Sequence, residues 1–149
     1  MKHILMSFFL ILFARAQAFA SECAASVGTC DYYLCQKELL GCSQGQYFEE
    51  FGFHRCEYFE ETQSSYSAEG QEFLQSVRTC LQESLEAKSS LTCSNARRVA
   101  LKSHEDCYIQ AGFCELPFGD RLKIFKKVFF DLFRADFFKT ANRINYRCY

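Results

Sequence analysis

Apolar residues recur every three to four positions along most of the chain after residue 21, which is the spacing of one face of a helix. The clearest pattern follows Ser67, a residue type that often caps helices, and its apolar positions are Phe73, Leu74, Val77, Cys80, Leu81 and Leu85. A second pattern begins near Ser94, and Gly112 is its expected end. The pattern therefore predicts an all-α protein.

Three further segments complete this prediction. Asp31 is the expected N-cap of a short helix that Gly41 ends, and residues 47–61 form a rougher amphipathic segment. In the last third, Asp120 is expected to cap a single helix that is rich in both phenylalanine and basic residues; its phenylalanines are Phe125, Phe129, Phe130, Phe133, Phe137 and Phe138.

The phenylalanine-rich helix has more than one interpretation. A basic aromatic helix is typical of proteins that lie on anionic membrane surfaces. The alternative that we favour is that its phenylalanines fill the core or a subunit interface, and the candidate interface residues are Phe125, Phe129, Phe133 and Phe137. Charge is polarised, with 7 Lys+Arg against 15 Asp+Glu in residues 21–116 and 8 against 3 in residues 117–149. The net charge of −1 gives no reason to expect a nucleic-acid partner.

The first twenty residues predict export. Residues 4–14 are almost uninterruptedly apolar but too short to span a bilayer, and Ala18-Phe19-Ala20 supplies the small residues of a cleavage site before Ser21. We therefore expect a signal peptide at 1–20 and one helical domain at 21–149. The mature chain is expected to have no transmembrane anchor and to be secreted, in the extracellular space or, for a bacterial source, in the periplasm.

Ten cysteines lie in the mature part of the chain. An even number of cysteines in a small exported chain favours disulfides, here five within the chain. Zinc binding is disfavoured because there is no C-x-x-C and only His54 and His104 follow the cleavage site. We expect no cofactor and no metal, since the acidic group Glu49, Glu50, Glu57, Glu60 and Glu61 is better interpreted as a solvated helix face. Composition leaves open about 945 possible pairings of the cysteines.

One string resembles a catalytic motif. His104-Glu105-Asp106-Cys107-Tyr108 is similar to the His-Asp-x-Cys-Tyr segment of secreted phospholipases A2, in which the histidine activates water and the aspartate helps to hold calcium. Here Glu105 replaces the aspartate, and no glycine-rich calcium loop precedes the string. A phospholipase-like hydrolase is therefore the weakest of the functions considered.

The intervals between the cysteines resemble those of the stanniocalcin family of secreted glycoprotein hormones. Cys30 and Cys35 form a C-x4-C, 23 residues that include Gly70-Gln71-Glu72-Phe73 separate Cys56 from Cys80, and 13 residues separate Cys93 from Cys107. The element Glu105-Asp106-Cys107-Tyr108 and the six residues before Cys114 also fit. The resemblance runs from Cys23 to Cys148, which is essentially the whole mature chain.

The resemblance implies a particular pairing and a class of function. The implied disulfides are Cys23 with Cys35, Cys30 with Cys56, Cys42 with Cys93, Cys80 with Cys107, and Cys114 with Cys148. It also implies a non-enzymatic extracellular protein that is hormone-like or protease-inhibitory and acts by binding another protein. The family is linked to calcium and phosphate balance, and some members inhibit a secreted metalloproteinase of the pappalysin type.

Two departures from the family bear on its partners. The further cysteine through which stanniocalcins form covalent dimers is not found in this chain, and neither is an N-glycosylation sequon. We therefore expect no covalent dimer, while a non-covalent homodimer through the aromatic helix remains open. A membrane- or lipid-active protein that uses this helix is the alternative function.

Overall fold

The computed structural model describes residues 22–131 and 135–149, and within residues 129–137 it describes the helical backbone at most. The predicted signal peptide lies outside the described residues. These residues form six α-helices and no strand, which confirms the all-α prediction. The helices are α1 (Asp31–Leu39), α2 (His54–Glu61), α3 (Ala68–Glu86), α4 (Ala96–Gln110), α5 (Phe118–Asp131) and α6 (Ala135–Arg147).

The N-terminal part of the core forms where α1 meets a π-helix at Tyr47–Phe53, which leads directly into α2. Its buried side chains are mainly aromatic, with Tyr32, Tyr33 and Phe48 packed near Leu85 of α3 and Ala100 of α4. A Cβ atom at Gly52 would clash with the Tyr33 ring, whose Cε1 would lie only 2.7 Å away. The π-helix can therefore approach α1 this closely only because position 52 is glycine.

The long helix α3 is the centre of the fold. Ser67 is its N-cap, and the Ser67 hydroxyl accepts a hydrogen bond from the Gly70 N–H at 3.1 Å. The predicted apolar positions Phe73, Leu74, Val77 and Leu85 are buried. Gln82 is buried as well, which the apolar pattern does not predict. Its amide accepts from the Gly28 N–H and donates to the Thr29 carbonyl, so it holds the N-terminal loop against α3.

The last third of the chain contains two helices, so the prediction of a single phenylalanine-rich helix is wrong. Asp120 is not an N-cap either, because α5 begins at Phe118. The Asp120 carboxylate instead accepts a hydrogen bond from the Ser67 N–H at 3.0 Å, which joins the start of α5 to the start of α3. We call residues 117–149 the C-terminal unit and residues 22–116 the body. Among the side chains of this unit that the structure describes, Ile124 and Ile144 are buried apolar residues.

All ten cysteines are paired within the chain. Four disulfides lie within the body, and the fifth joins the body to the C-terminal unit. The pairs are Cys23–Cys35, Cys30–Cys56, Cys42–Cys93, Cys80–Cys107 and Cys114–Cys148. These are the five pairs that the stanniocalcin resemblance implies. Several disulfides in a small domain are typical of a protein that folds in an oxidising compartment.

None of the helices in residues 22–131 and 135–149 combines the length and the apolar character that a membrane span requires.

Candidate functional site

A cavity of about 420 Å³ lies where the C-terminal unit meets the body, and we call it the junction cavity. The π-helix and the helices α1 to α4 contribute to the body side of its wall, and α5 and α6 contribute to the other side. The wall is mostly aromatic and aliphatic, and its members include Phe51, Phe59, Leu81, Tyr108 and Val128. Its volume falls within the roughly 300–1,000 Å³ of sites that bind small molecules.

Among the described residues, three charged side chains belong to the cavity wall, apart from His104. They are Arg55 of α2, Glu60 of α2 and Arg78 of α3. Arg78 Nη1 donates to Glu60 Oε1 at 2.8 Å, while Arg78 Nε is buried without a hydrogen-bond partner in the described structure. The apolar cavity therefore has a polar part in which an arginine and a glutamate form an ion pair.

Three tyrosines of the wall keep their protons at neutral pH. Burial raises the pKa of Tyr33 to about 12, although Gln82 and Arg78 act in the opposite direction. Burial also raises the pKa of Tyr47 and that of Tyr108, and neighbouring tyrosines add to both shifts. The cavity wall is thus supplied with neutral hydroxyl groups, which both donate and accept hydrogen bonds.

His104, the candidate catalytic residue of the phospholipase-like string, also lines the cavity. Its Nδ1 lies 2.6 Å from the Ala100 carbonyl oxygen, and a carbonyl only accepts, so Nδ1 carries the proton. Burial lowers the pKa of His104, which favours the neutral ring. The two acidic neighbours point elsewhere: Arg147 Nη1 lies 2.7 Å from Asp106 and 3.6 Å from Glu105. The string therefore does not assemble a histidine–carboxylate pair.

The acidic residues of 49–61 are partly neutralised by neighbouring side chains. Glu49 pairs with Lys37 at 2.8 Å, Glu60 pairs with Arg78, and Glu57 lies 3.7 Å from His54. In the described part of the chain, no group of three or more histidine, cysteine, aspartate or glutamate side chains is arranged to hold a metal ion.

The predicted interface residues can be placed only in part. Phe125 lies on α5, where it lines the junction cavity and is 44% exposed. Phe133 lies outside the described residues, and so do the side chains of Phe129 and Phe137. The interface therefore stays a prediction.

Sequence reasoning did not find the junction cavity. Its wall combines residues from all six α-helices and from the π-helix, so no local pattern marks it. One signal was available in α3, where Arg78 directly follows the core residue Val77 and lies four positions before Gln82. Polar residues on or beside the buried face of a helix need partners, and they often belong to a site.

Comparison of the chain with protein-family models, with curated proteins and with solved structures finds no match.

Proposed function

We propose that the mature chain is a secreted, non-enzymatic extracellular protein that acts by binding another protein, as members of the stanniocalcin family do. The observation that carries this proposal is the disulfide framework. Its five pairs join cysteines 12 to 51 residues apart, in the connectivity that the family resemblance implies. Among about 945 possible pairings, agreement on one is specific support.

The hydrolase alternative has less support. A general base needs a free ring nitrogen that faces the substrate and a group that orients the ring. The Nδ1 of His104 is oriented only by the Ala100 carbonyl of its own helix, and Asp106 is engaged by Arg147. A phospholipid hydrolysis assay with calcium, comparing the natural chain with His104→Ala, is expected to show no difference between the two.

A pull-down from the extracellular fluid of the source organism tests the binding role. The mature chain with its disulfides intact is the bait, and the same chain reduced and alkylated is the control. We expect one protein to be retained by the folded bait alone, and its identity to show whether it is a receptor or a protease. Recovery of no protein, or equal recovery on both baits, would count against the proposal.

The same chain is proposed to be monomeric or a non-covalent dimer. All ten cysteines are used in internal disulfides, so none is left to link two copies. Sedimentation velocity at several concentrations distinguishes the two states. A dimer that persists in denaturant and separates only after reduction would contradict this proposal.

A second candidate is an activity on membranes, and the exposed face of α5 favours it. Phe118 is 72% exposed, and Leu122 and Phe125 follow it at helical spacing with substantial exposure. Lys126 is exposed on the same helix. An apolar stripe with neighbouring lysines is typical of helices that lie on anionic bilayers.

Sedimentation with vesicles of phosphatidylglycerol and phosphatidylcholine tests the membrane candidate. We expect binding that weakens with salt and is reduced by Phe118→Ser with Leu122→Ser. Leu39→Ser is the matched control, because Leu39 of α1 is also an exposed leucine (45%) but lies in the body. Absence of binding at low salt, or equal loss in both variants, would retire this candidate.

A further inference from the structure

We propose that the junction cavity binds one molecule of an uncharged ligand that consists mainly of hydrocarbon. This goes beyond the proposed function and does not depend on it, because such a cavity takes a small molecule whether or not the surface binds a protein. The inference depends on the size of the cavity, on its apolar wall, on the pairing of the described charges and on the exposed rim.

The cavity is large for a domain of this size. Protein interiors pack as densely as organic crystals, and few of their voids are larger than a water molecule. The volume of the junction cavity, about 420 Å³, is far above the roughly 10–15 Å³ that a single buried water requires. It lies within the range of sites that hold small organic molecules. We therefore expect a whole small molecule, rather than one water, as its occupant.

The described wall is suited to hydrocarbon. Its apolar side chains come from both the body and the C-terminal unit, and they include Phe51, Leu81, Phe113 and Val128. Such side chains offer water few hydrogen-bond partners, whereas an apolar guest gains dispersion contacts with them. A ligand that consists mainly of hydrocarbon is therefore favoured over a polar one.

The described charges of the wall are already engaged within the protein. Arg78 donates to Glu60 at 2.8 Å, and the guanidinium of Arg55 lies 5.4 Å from the centre of the Phe51 ring. His104 adds no charge at neutral pH, since burial lowers its pKa. A charged group on a ligand would therefore be buried without an ionic partner among the described residues, which is costly. An uncharged ligand avoids this cost.

The rim of the cavity includes residues from both helices of the C-terminal unit. Phe125 of α5 and Phe138 of α6 line the cavity, and they are 44% and 47% exposed. Side chains that line the cavity and are also exposed to solvent mark its rim. An apolar rim is suited to admitting a hydrocarbon ligand.

Fluorescence titration of the intact mature chain with N-phenyl-1-naphthylamine tests the proposal. This probe is uncharged, and 8-anilinonaphthalene-1-sulfonate has the same ring skeleton with an added sulfonate. We expect saturation at one uncharged probe per chain, and about tenfold weaker binding of the sulfonate, because its charge has no partner in the described wall. Absence of binding by the uncharged probe, or equal or tighter binding of the sulfonate, would overturn the proposal.

Two sets of variants locate the binding site. Ala141→Phe places a ring in the cavity from α6 and should abolish binding of the uncharged probe. Lys139→Phe, at an exposed position of the same helix, is the matched control and should bind the probe normally. Phe118→Ser with Leu122→Ser removes exposed apolar side chains of α5 that lie outside the cavity wall, and it should also bind normally. Loss of binding in this surface variant would overturn the proposal.

The blocking result needs a folded protein, which far-UV circular dichroism checks. Val128→Phe fills the same cavity from α5, so it replaces Ala141→Phe if that variant does not fold. Unchanged affinity for the uncharged probe in a folded blocking variant would overturn the proposal even if the protein binds the probe elsewhere. A positive result here with a failed pull-down would retain the cavity ligand and remove the proposed protein partner, so the two failures are distinguishable.

Discussion

The body and the C-terminal unit of this protein are held together by different means. Four disulfides cross the body and surround a core of buried aromatic and aliphatic residues. In the described residues the unit is joined to the body by one disulfide, by the buried Ile124 and Ile144, and by polar contacts such as that of Asp120 with Ser67.

The junction cavity lies at the boundary between these two regions, with α5 and α6 forming one side of it.

Removing a disulfide from each region should give the largest effects. Cys42–Cys93 spans 51 residues and Cys114–Cys148 spans 34. Because each disulfide lowers the entropy of the unfolded chain, each is expected to stabilise the fold by about 4 kcal/mol. We expect Cys42→Ala with Cys93→Ala to lower the free energy of unfolding of the whole body by about that amount. Cys114→Ala with Cys148→Ala should mainly release the C-terminal unit.

Guanidinium denaturation combined with hydrogen exchange distinguishes these outcomes. In the variant without Cys114–Cys148, exchange should accelerate in α5 and α6 while α3 stays protected. If hydrogen exchange in α3 accelerated equally in both disulfide variants, the two regions would unfold as one unit. That result would contradict the difference between the body and the C-terminal unit.

Two glycine substitutions, one in each region, should change the free energy of unfolding in opposite directions. Gly52→Ala forces a methyl group against the Tyr33 ring in the body, and overpacking of this kind costs about 1–3 kcal/mol. At Gly119 in α5 an added Cβ meets nothing within 4 Å, so Gly119→Ala should stabilise by about 0.4–1 kcal/mol. Thermal unfolding of both variants measures the contrast, and a neutral Gly52→Ala would show that α1 and the π-helix can move apart.

Asp120→Asn should weaken the link between the regions. Burial acts to raise the pKa of Asp120, but hydrogen bonds from Ser67 and Lys123 outweigh it and lower the pKa below 3.8. The stabilisation of the fold by the ionised Asp120 carboxylate is therefore complete above pH 3.8, and it is lost as the pH falls through the lower pKa of the folded state. We expect Asp120→Asn to cost about 1–3 kcal/mol at pH 7, because a charged acceptor of the Ser67 N–H is removed.

The control for this link is Asp106→Asn. The Asp106 side chain is 67% exposed in its pair with Arg147, and exposed ion pairs contribute little. Urea denaturation at pH 7 and at pH 3 should show a large effect of pH on the natural chain and a smaller one on Asp120→Asn. An equal pH dependence of stability in the natural chain and in Asp120→Asn would exclude Asp120 as the source of that dependence.

His104 should produce the smallest effect, a dependence of stability on pH near neutrality. Burial lowers its pKa from 6.5, so below pH 6.5 the unfolded chain takes up a proton that the folded chain does not. Stability should therefore fall as the pH drops below 6.5, by at most about 1.4 kcal/mol per pH unit. His104→Gln should flatten this slope, whereas His54→Gln, at a histidine whose side chain is 55% exposed, should retain it. A slope that survives in His104→Gln would assign it to another group.

Much of the fold could be predicted because helices depend on nearby residues. The apolar face of α3 involves residues only three or four positions apart, and its buried positions Phe73, Leu74, Val77 and Leu85 were predicted correctly. The π-helix at Tyr47–Phe53 was missed, since its periodicity differs little from that of an α-helix over seven residues. Asp120 was misassigned because its partner, Ser67, lies 53 residues away.

The sequence by itself determined the helical class and the disulfide-rich character of the chain. Both follow from local periodicity and from a count of ten cysteines, and neither requires knowledge of which helix lies beside which. Tertiary structure alone decided that Asp120 joins Ser67, that Arg78 joins Glu60, and that segments from across the described chain enclose a cavity. The physical reason is that side-chain partners far apart in the chain are set by how the helices pack, which no local pattern records.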